Sequence, residues 1–233
     1  MRQSTFANLR PHPERLVPTS NHTSNRREQI LGKATSLFAK GGYVGTSIRQ
    51  IARSCGITEA AIYRHFDGKL NLYEEVIRAK AAEHDIAGYL ADKRKGGDIR
   101  DVLIAVSSHI MKLTREDPGL MRLMFNNSLE SGDVSTVLFQ EIRLPYIEFL
   151  HAEFEERIAA GEIVDIEAFL TGRCFVGMVM DCALNLDIWD TLFPSRNQPA
   201  EIYTNTATVF AKGLLAHTND GSSPDPFTKG SAS

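Results

Sequence analysis

Between Thr46 and Lys69 the chain reads TSIRQIARSCGITEAAIYRHFDGK, and its side chains fall at spacings that suit nucleic-acid recognition. At about 100° per residue, Ile62 and Phe66 share one side of the segment after Thr58. Ala60, Tyr63 and Arg64 point away from that side, with Thr58, Glu59 and His65 on the flanks. Small Ala60 permits close approach, Tyr63 offers a ring and a hydroxyl, and Arg64 carries a fork suited to guanine or phosphate. Lys69 follows the Asp67-Gly68 turn at the start of the next helix, where its charge and the helix dipole attract the same phosphate. The chemistry expected is a recognition helix in a DNA major groove.

Catalytic chemistry finds no comparable pattern. The chain has no complete G-x-S-x-G, no H-E-x-x-H and no glycine-rich phosphate loop, and Gly32-Lys33-Ala34-Thr35 lacks the upstream glycine of a P-loop. His151 and Glu155 stand one turn apart, but no third ligand follows at matching spacing, and an exposed charged face accounts for them better. No catalytic residue, metal or cofactor is therefore expected.

The recognition set needs helices to hold it. Thr46 is placed to cap a helix whose apolar positions Ile48, Ile51 and Ala52 face inward while Arg49, Gln50 and Arg53 face water. Ser54, Cys55 and Gly56 end that helix, Ile57 plugs the core beyond, and Thr58 caps the next. Upstream, Asn25 and Glu28 suggest a capping box for a helix carrying Ile30, Ala34, Leu37 and Phe38, closed by Gly41-Gly42-Tyr43. Two helices alone would also suit an ordinary small helical domain.

The wider series resembles the TetR family of bacterial transcriptional regulators, through Phe38, Gly42-Tyr43, Thr46, Ile51-Ala52, Gly56-Ile57, Tyr63, His65-Phe66 and Lys69. The resemblance implies an all-α fold, with a three-helix DNA-binding headpiece at 24–70 and a larger ligand-binding and dimerisation domain at 71–217. It implies DNA contacts from Thr46, Ser47 and Arg49 as well as from Thr58, Glu59, Ala60, Tyr63, Arg64, His65 and Lys69, with Tyr63 and His65 at phosphate-contacting positions. It also favours a homodimer on a near-palindromic operator and repression relieved by a small molecule. Glu59, Ala60 and Leu70 depart from the residues common in the family, which bears on operator identity rather than on fold.

Charge is unevenly placed along the 233 residues, whose formal net charge is −3. Residues 25–80 hold 10 Lys and Arg against 5 Asp and Glu, whereas 81–233 hold 13 against 23, so a basic head sits on an acidic body. Cys55, Cys174 and Cys182 form no CxxC pair, which suits a reduced cytoplasmic interior. No apolar run approaches the roughly 20 residues that span a bilayer, and a soluble protein is expected. Proline-bearing polar stretches at 1–23 and 218–233 read as flexible tails.

Beyond the headpiece the periodicity predicts one long helix from Lys69 to about Lys95, with Lys93-Arg94-Lys95 either a second DNA patch or a dipole-favoured end. A helix from Asp98, a short one after Asp117-Pro118, and one from Val134 to about Ala160 bent at Pro145 follow. A nearly all-apolar helix from Asp165 through Trp189 and a last one at 199–216 complete the body. The Gly172–Leu186 part and the last helix are expected to pair with their symmetry mates in a four-helix interface. An apolar pocket is expected from Met121, Met124, Phe125, Phe175 and Met178, with Arg122, Asn126 or Asp181 as polar anchors, although Met and Phe at helical spacing are often core filler. The leading function is a regulator released from DNA by a small apolar or aromatic ligand. The alternatives are a helical protein-interaction module or an activator without a ligand, with an enzyme last.

Overall fold

The computed structural model describes residues 20–93, 97–127, 132–194 and 198–215, and among these it is all-α apart from one isolated bridge between Ile163 and Leu215. Most of both predicted tails, and Arg94 and Lys95 of the basic cluster, lie outside the described residues.

The headpiece begins with α1 (Ser20–Gly41), which starts ahead of the expected Asn25 cap and takes in the last residues of the predicted tail. Ile30, Ala34 and Phe38 are fully buried, which is what their three- and four-residue spacing requires. After Gly42, whose φ of 68° a Cβ would disfavour, the chain enters α2 (Ile48–Cys55) and α3 (Glu59–Tyr63). The cap of α2 is Ser47, not Thr46. Its hydroxyl accepts the Gln50 N–H, and the Gln50 side chain accepts the Ser47 N–H, a reciprocal capping box. Gly56, at φ 66°, ends α2, and Thr58 caps α3.

From the headpiece α4 (Lys69–His84) runs into the body, so the two units share a helix and the expected boundary at residue 70 falls within its first turn. The expected single helix to Lys95 breaks at Asp85, and α5 (Ile86–Lys93) follows. Asp85 adopts φ 40°, a conformation its short carboxylate helps to hold by accepting the Gly88 N–H at 3.2 Å. A Cβ at position 88 would lie 2.2 Å from that carboxylate, so the glycine and the break belong together.

The body continues with α6 (Ile99–Glu116), α7 (Pro118–Asn127) and α8 (Asp133–Leu138). A π-helical turn (Phe139–Arg143) then leads into α9 (Leu144–Ala159). The π turn is how the chain accommodates Pro145: the Leu144 N–H bonds back to Phe139 O, and the proline, which has no N–H to give, sits in the first turn of α9. The expected helix from Asp165 is two, α10 (Ala168–Leu184), capped by Glu167, and α11 (Leu186–Leu192). They part at Asn185, whose side-chain amide donates to Asp181 O at 2.9 Å in competition with the helical ladder. The last helix is α12 (Pro199–Leu214). It packs on α6, while α9 packs on α10 and α1 rests on α4 and α7.

Candidate nucleic-acid interface

Burial sorts the predicted DNA set. Ile62 and Phe66 are at 0% and 2% exposure, while Ser47, Arg49, Thr58, Glu59, Ala60, Tyr63 and Arg64 are exposed. Arg64 is the residue just past α3, in a helical conformation, and among the described residues no carboxylate pairs with it. Thr46 is the exception in the set. At 3% exposure its hydroxyl, with one proton to share, lies 3.1 Å from Leu37 O and 2.9 Å from Gly42 O, so the side chain locks the turn between α1 and α2 and is turned away from solvent. Its β-branched hydroxyl reaches two carbonyls that a polar outward residue would leave to water.

Lys69 starts α4, and its Nζ lies 4.1 Å from the Tyr43 ring centre, a cation–π contact that aims the ammonium from the turn after α1. Tyr43 itself packs edge-on against Tyr73, with ring centres 5.3 Å apart. His65 is half-buried beside Phe66, and the Arg27 guanidinium covers the Phe66 ring at 5.1 Å while pairing with Glu75 of α4. Sequence reasoning missed Tyr43 and Arg27 as supports, because a cation over a ring three helices away leaves no periodic trace.

Two polar links join α4 to the body. Arg78 pairs with Glu141 of the π turn at 3.2 Å. Lys80 and His84 both reach Asp117 Oδ2 at 3.1 Å, and the other Asp117 oxygen accepts the Leu120 N–H at the start of α7. Burial works against the Asp117 anion, but the Leu120 amide, His84 and Lys80 outweigh it and hold its pKa below the ordinary carboxylate value. Any displacement of α7 would therefore be felt by the helix that begins at Lys69.

The predicted ligand residues do not converge. Met121 and Arg122 border a cavity of about 360 Å³ with Thr114, Arg115 and Leu186. Met124 is buried, and Phe175 is fully buried against Phe210 with ring centres 4.8 Å apart, both as core. Met178 is 41% exposed, and Asp181 is exposed with its carboxylate accepting from Asn185. The side chains of Phe125 and Asn126 lie outside the described residues. Phe175 and Met178 lie three residues apart on one helix, but the packing of α9 and α12 against α10 buries the first and leaves the second at the surface.

Among the described residues no group of three His, Cys, Asp or Glu is placed to hold a metal, and no single helix is long and apolar enough to cross a membrane. His151 packs on Phe169 with ring centres 5.9 Å apart.

A short helix with an exposed outer face, joined to an amphipathic helix through a glycine turn, is the arrangement of a helix-turn-helix motif. Residues 30–76, which include the helix-turn-helix, match the family described as bacterial regulatory proteins, tetR family. The chain is similar to the HTH-type transcriptional repressor KstR2 of Mycolicibacterium smegmatis, at 28% identity over 60% of this chain and 62% of the relative. It is also similar to the HTH-type transcriptional repressor AcnR of Corynebacterium diphtheriae, at 32% identity over 44% and 57%. The nucleoid occlusion factor SlmA of Actinobacillus pleuropneumoniae matches at 26% over 46% and 54%. The matched regions thus span between half and two thirds of these relatives. The all-α fold extends further: the transcriptional regulator FadR from Bacillus subtilis, in complex with stearoyl-CoA, superposes with a TM-score of 0.65 at 18% identity, over 80% of this chain and 98% of that one.

Proposed function

We propose that this chain is a dimeric, sequence-specific DNA-binding regulator of transcription, a repressor that a small molecule releases from its operator in the bacterial cytoplasm. Residues 24–70 bind DNA in this reading, and 71–217 dimerise and receive the ligand. The observation that carries it is the exposed set Ala60, Tyr63 and Arg64 standing over buried Ile62 and Phe66, with Lys69 held beside them by Tyr43. A dimer sets two such surfaces into successive major grooves, roughly 34 Å apart, of a near-palindromic site.

The exposed apolar residues of α10, α11 and α12, among them Leu170, Met178, Ile188, Trp189 and Val209, support pairing of two copies through these helices. Repressor names among the relatives and the stearoyl-CoA held by the Bacillus subtilis FadR support ligand-relieved repression. A ligand acts by binding the DNA-incompetent arrangement better, and its differential affinity sets how far the population moves. Electrophoretic mobility shift with the DNA upstream of the chain's own gene tests the reading: a specific shift supports it, and equal affinity for scrambled DNA overturns it. The similarity to a nucleoid occlusion factor favours one second reading, a DNA-bound interaction module without a ligand, which the same assay distinguishes by a specific shift that no small molecule relieves.

A further inference from the structure

A cavity of about 780 Å³ opens between α5, α6 and the start of α12, and among the described residues none of those whose sequence pattern suggested a pocket lines it. Its walls include Tyr89, His109, Lys112, Arg115, Pro199 and Tyr203. Tyr89 and His109 stack face to face, with ring centres 3.9 Å apart and planes 9° from parallel. The Tyr89 hydroxyl donates to Ala105 O, which fixes that ring from the side of α6.

Behind His109, its Nδ1 lies 2.8 Å from the hydroxyl of Tyr146, a residue at 0% exposure. Burial raises the Tyr146 pKa far above the ordinary phenol value, so the proton stays on the oxygen. Among the described residues that hydroxyl has no other acceptor, and a buried donor left unmade costs more than a spare lone pair. Tyr146 therefore donates, Nδ1 accepts, and the ring proton sits on Nε2. Burial, and then the nearby His84 and Lys112, lower the pKa of His109 and keep it neutral, while Glu116 acts weakly in the opposite sense. His109 thus has one N–H left to offer, on the ring that lines the cavity.

The cations on the same wall are unequal. Lys112 lies 3.9 Å from Glu116, which also lines the cavity, whereas Arg115 is exposed and has no carboxylate partner among the described residues. Arg115 further borders the two adjoining cavities, of about 270 and 360 Å³, so it stands where the three meet. On this wall Lys112 and Arg115 stand against one carboxylate, Glu116, beside the aromatic surfaces of Tyr89 and Tyr203, while Asp187 and Asp190 border the adjoining cavities.

We propose that this cavity is the effector site, and that it takes an amphipathic organic monocarboxylate, with the carboxylate between Arg115 and His109 Nε2–H and the apolar body along Tyr89 and Tyr203. The proposal rests on the reading of the chain as a ligand-controlled regulator. A bidentate guanidinium suits a carboxylate, a neutral N–H donor adds direction, and Glu116 rejects a second negative charge. The site is also placed to be felt by the headpiece. His109 and His84 interact electrostatically, and His84 shares Asp117 with Lys80 in the link that anchors α4.

The experiment is isothermal titration of the full chain with decanoate and with 4-phenylbutyrate, using decan-1-ol as the uncharged control, in parallel with a mobility shift on its upstream DNA. The expected result is saturable binding of at least one acid at one per chain, weakened tenfold or more in the alcohol and in Arg115→Ala, and several-fold in Lys112→Ala. Both substitutions are at solvent-facing positions, and circular dichroism of each variant confirms the fold. Absence of saturable binding by both acids, or binding that Arg115→Ala and Lys112→Ala leave unchanged, overturns the site. A normal specific DNA shift in that case leaves the regulator reading standing. Carboxylate binding without any specific DNA shift would do the reverse.

Discussion

The Lys69 ammonium lies 4.1 Å from the centre of the Tyr43 ring, so the first residue of α4 is held by the turn that ends α1. Lys69→Ala should weaken binding to every DNA sequence alike and lower the salt slope by about one per subunit, since one phosphate contact and its counterion are lost. Tyr43→Leu should reproduce the uniform loss more weakly, by the roughly 0.5–1 kcal/mol of an exposed cation–π contact. Affinities over a salt series read both.

Arg64→Ala should fail differently. Its guanidinium stands past the end of α3 in solvent, and if the fork reaches a base edge the loss on the cognate site is about 1–3 kcal/mol, with relaxed preference at particular base pairs. Comparison of cognate and scrambled duplexes decides: equal losses on both would reassign Arg64 to the backbone.

Gly172 and Gly177 separate folding from pairing on one helix. A Cβ at 172 would lie 3.2 Å from the Leu150 Cβ of α9, whereas one at 177 would meet nothing within 4 Å. Gly172→Leu should therefore destabilise the chain by about 1–3 kcal/mol through overpacking, measured by denaturant unfolding. Gly177→Arg should leave each chain folded but give monomers by light scattering and weaker DNA binding; an unchanged dimer would remove this face from the interface.

Thr46→Val keeps the shape of a buried side chain and deletes the one hydroxyl proton shared between Leu37 O and Gly42 O. The expected cost is about 1–2 kcal/mol in urea unfolding, with DNA specificity unchanged. A selective loss on the cognate site at full stability would return Thr46 to the interface.

Asp117→Asn should uncouple α4 from α7 while leaving the Leu120 N–H capped by the amide oxygen. The folded pKa of Asp117 is depressed, so its contribution is fully present above the unfolded carboxylate value, near 3.8, and is lost as pH falls through the folded value. Lys80 is raised above 10.5, since Glu83 and Asp117 outweigh the burial that opposes its charge, and its share persists below that pH and is lost above the folded value. At pH 7 the variant should lose about 1–3 kcal/mol, and its acid limb should be flatter than that of the parent. Parallel acid limbs would show that the carboxylate charge carries no stability.

The sequence by itself determined the all-α class and the headpiece. Ile30, Ala34, Phe38, Ile51, Ile62 and Phe66 are buried where a 3.6-residue period puts them, and Gly56 and Thr58 carry backbone chemistry that acts within a few residues. Local signals of this kind are legible because the interacting groups are neighbours along the chain. What only the tertiary structure decided is which of several available partners a group takes and how helices far apart in sequence pack. Thr46 reads as a cap yet is turned inward by two carbonyls, and α4 reads as continuous with α5 until the Asp85 carboxylate meets the Gly88 N–H. Phe175 and Met178 share a helix, but helix packing sends one to the core and the other to the surface. The cavity beside His109 gathers residues from α5, α6 and α12 that no single helical period relates, because a pocket is the space left between elements and has no period of its own.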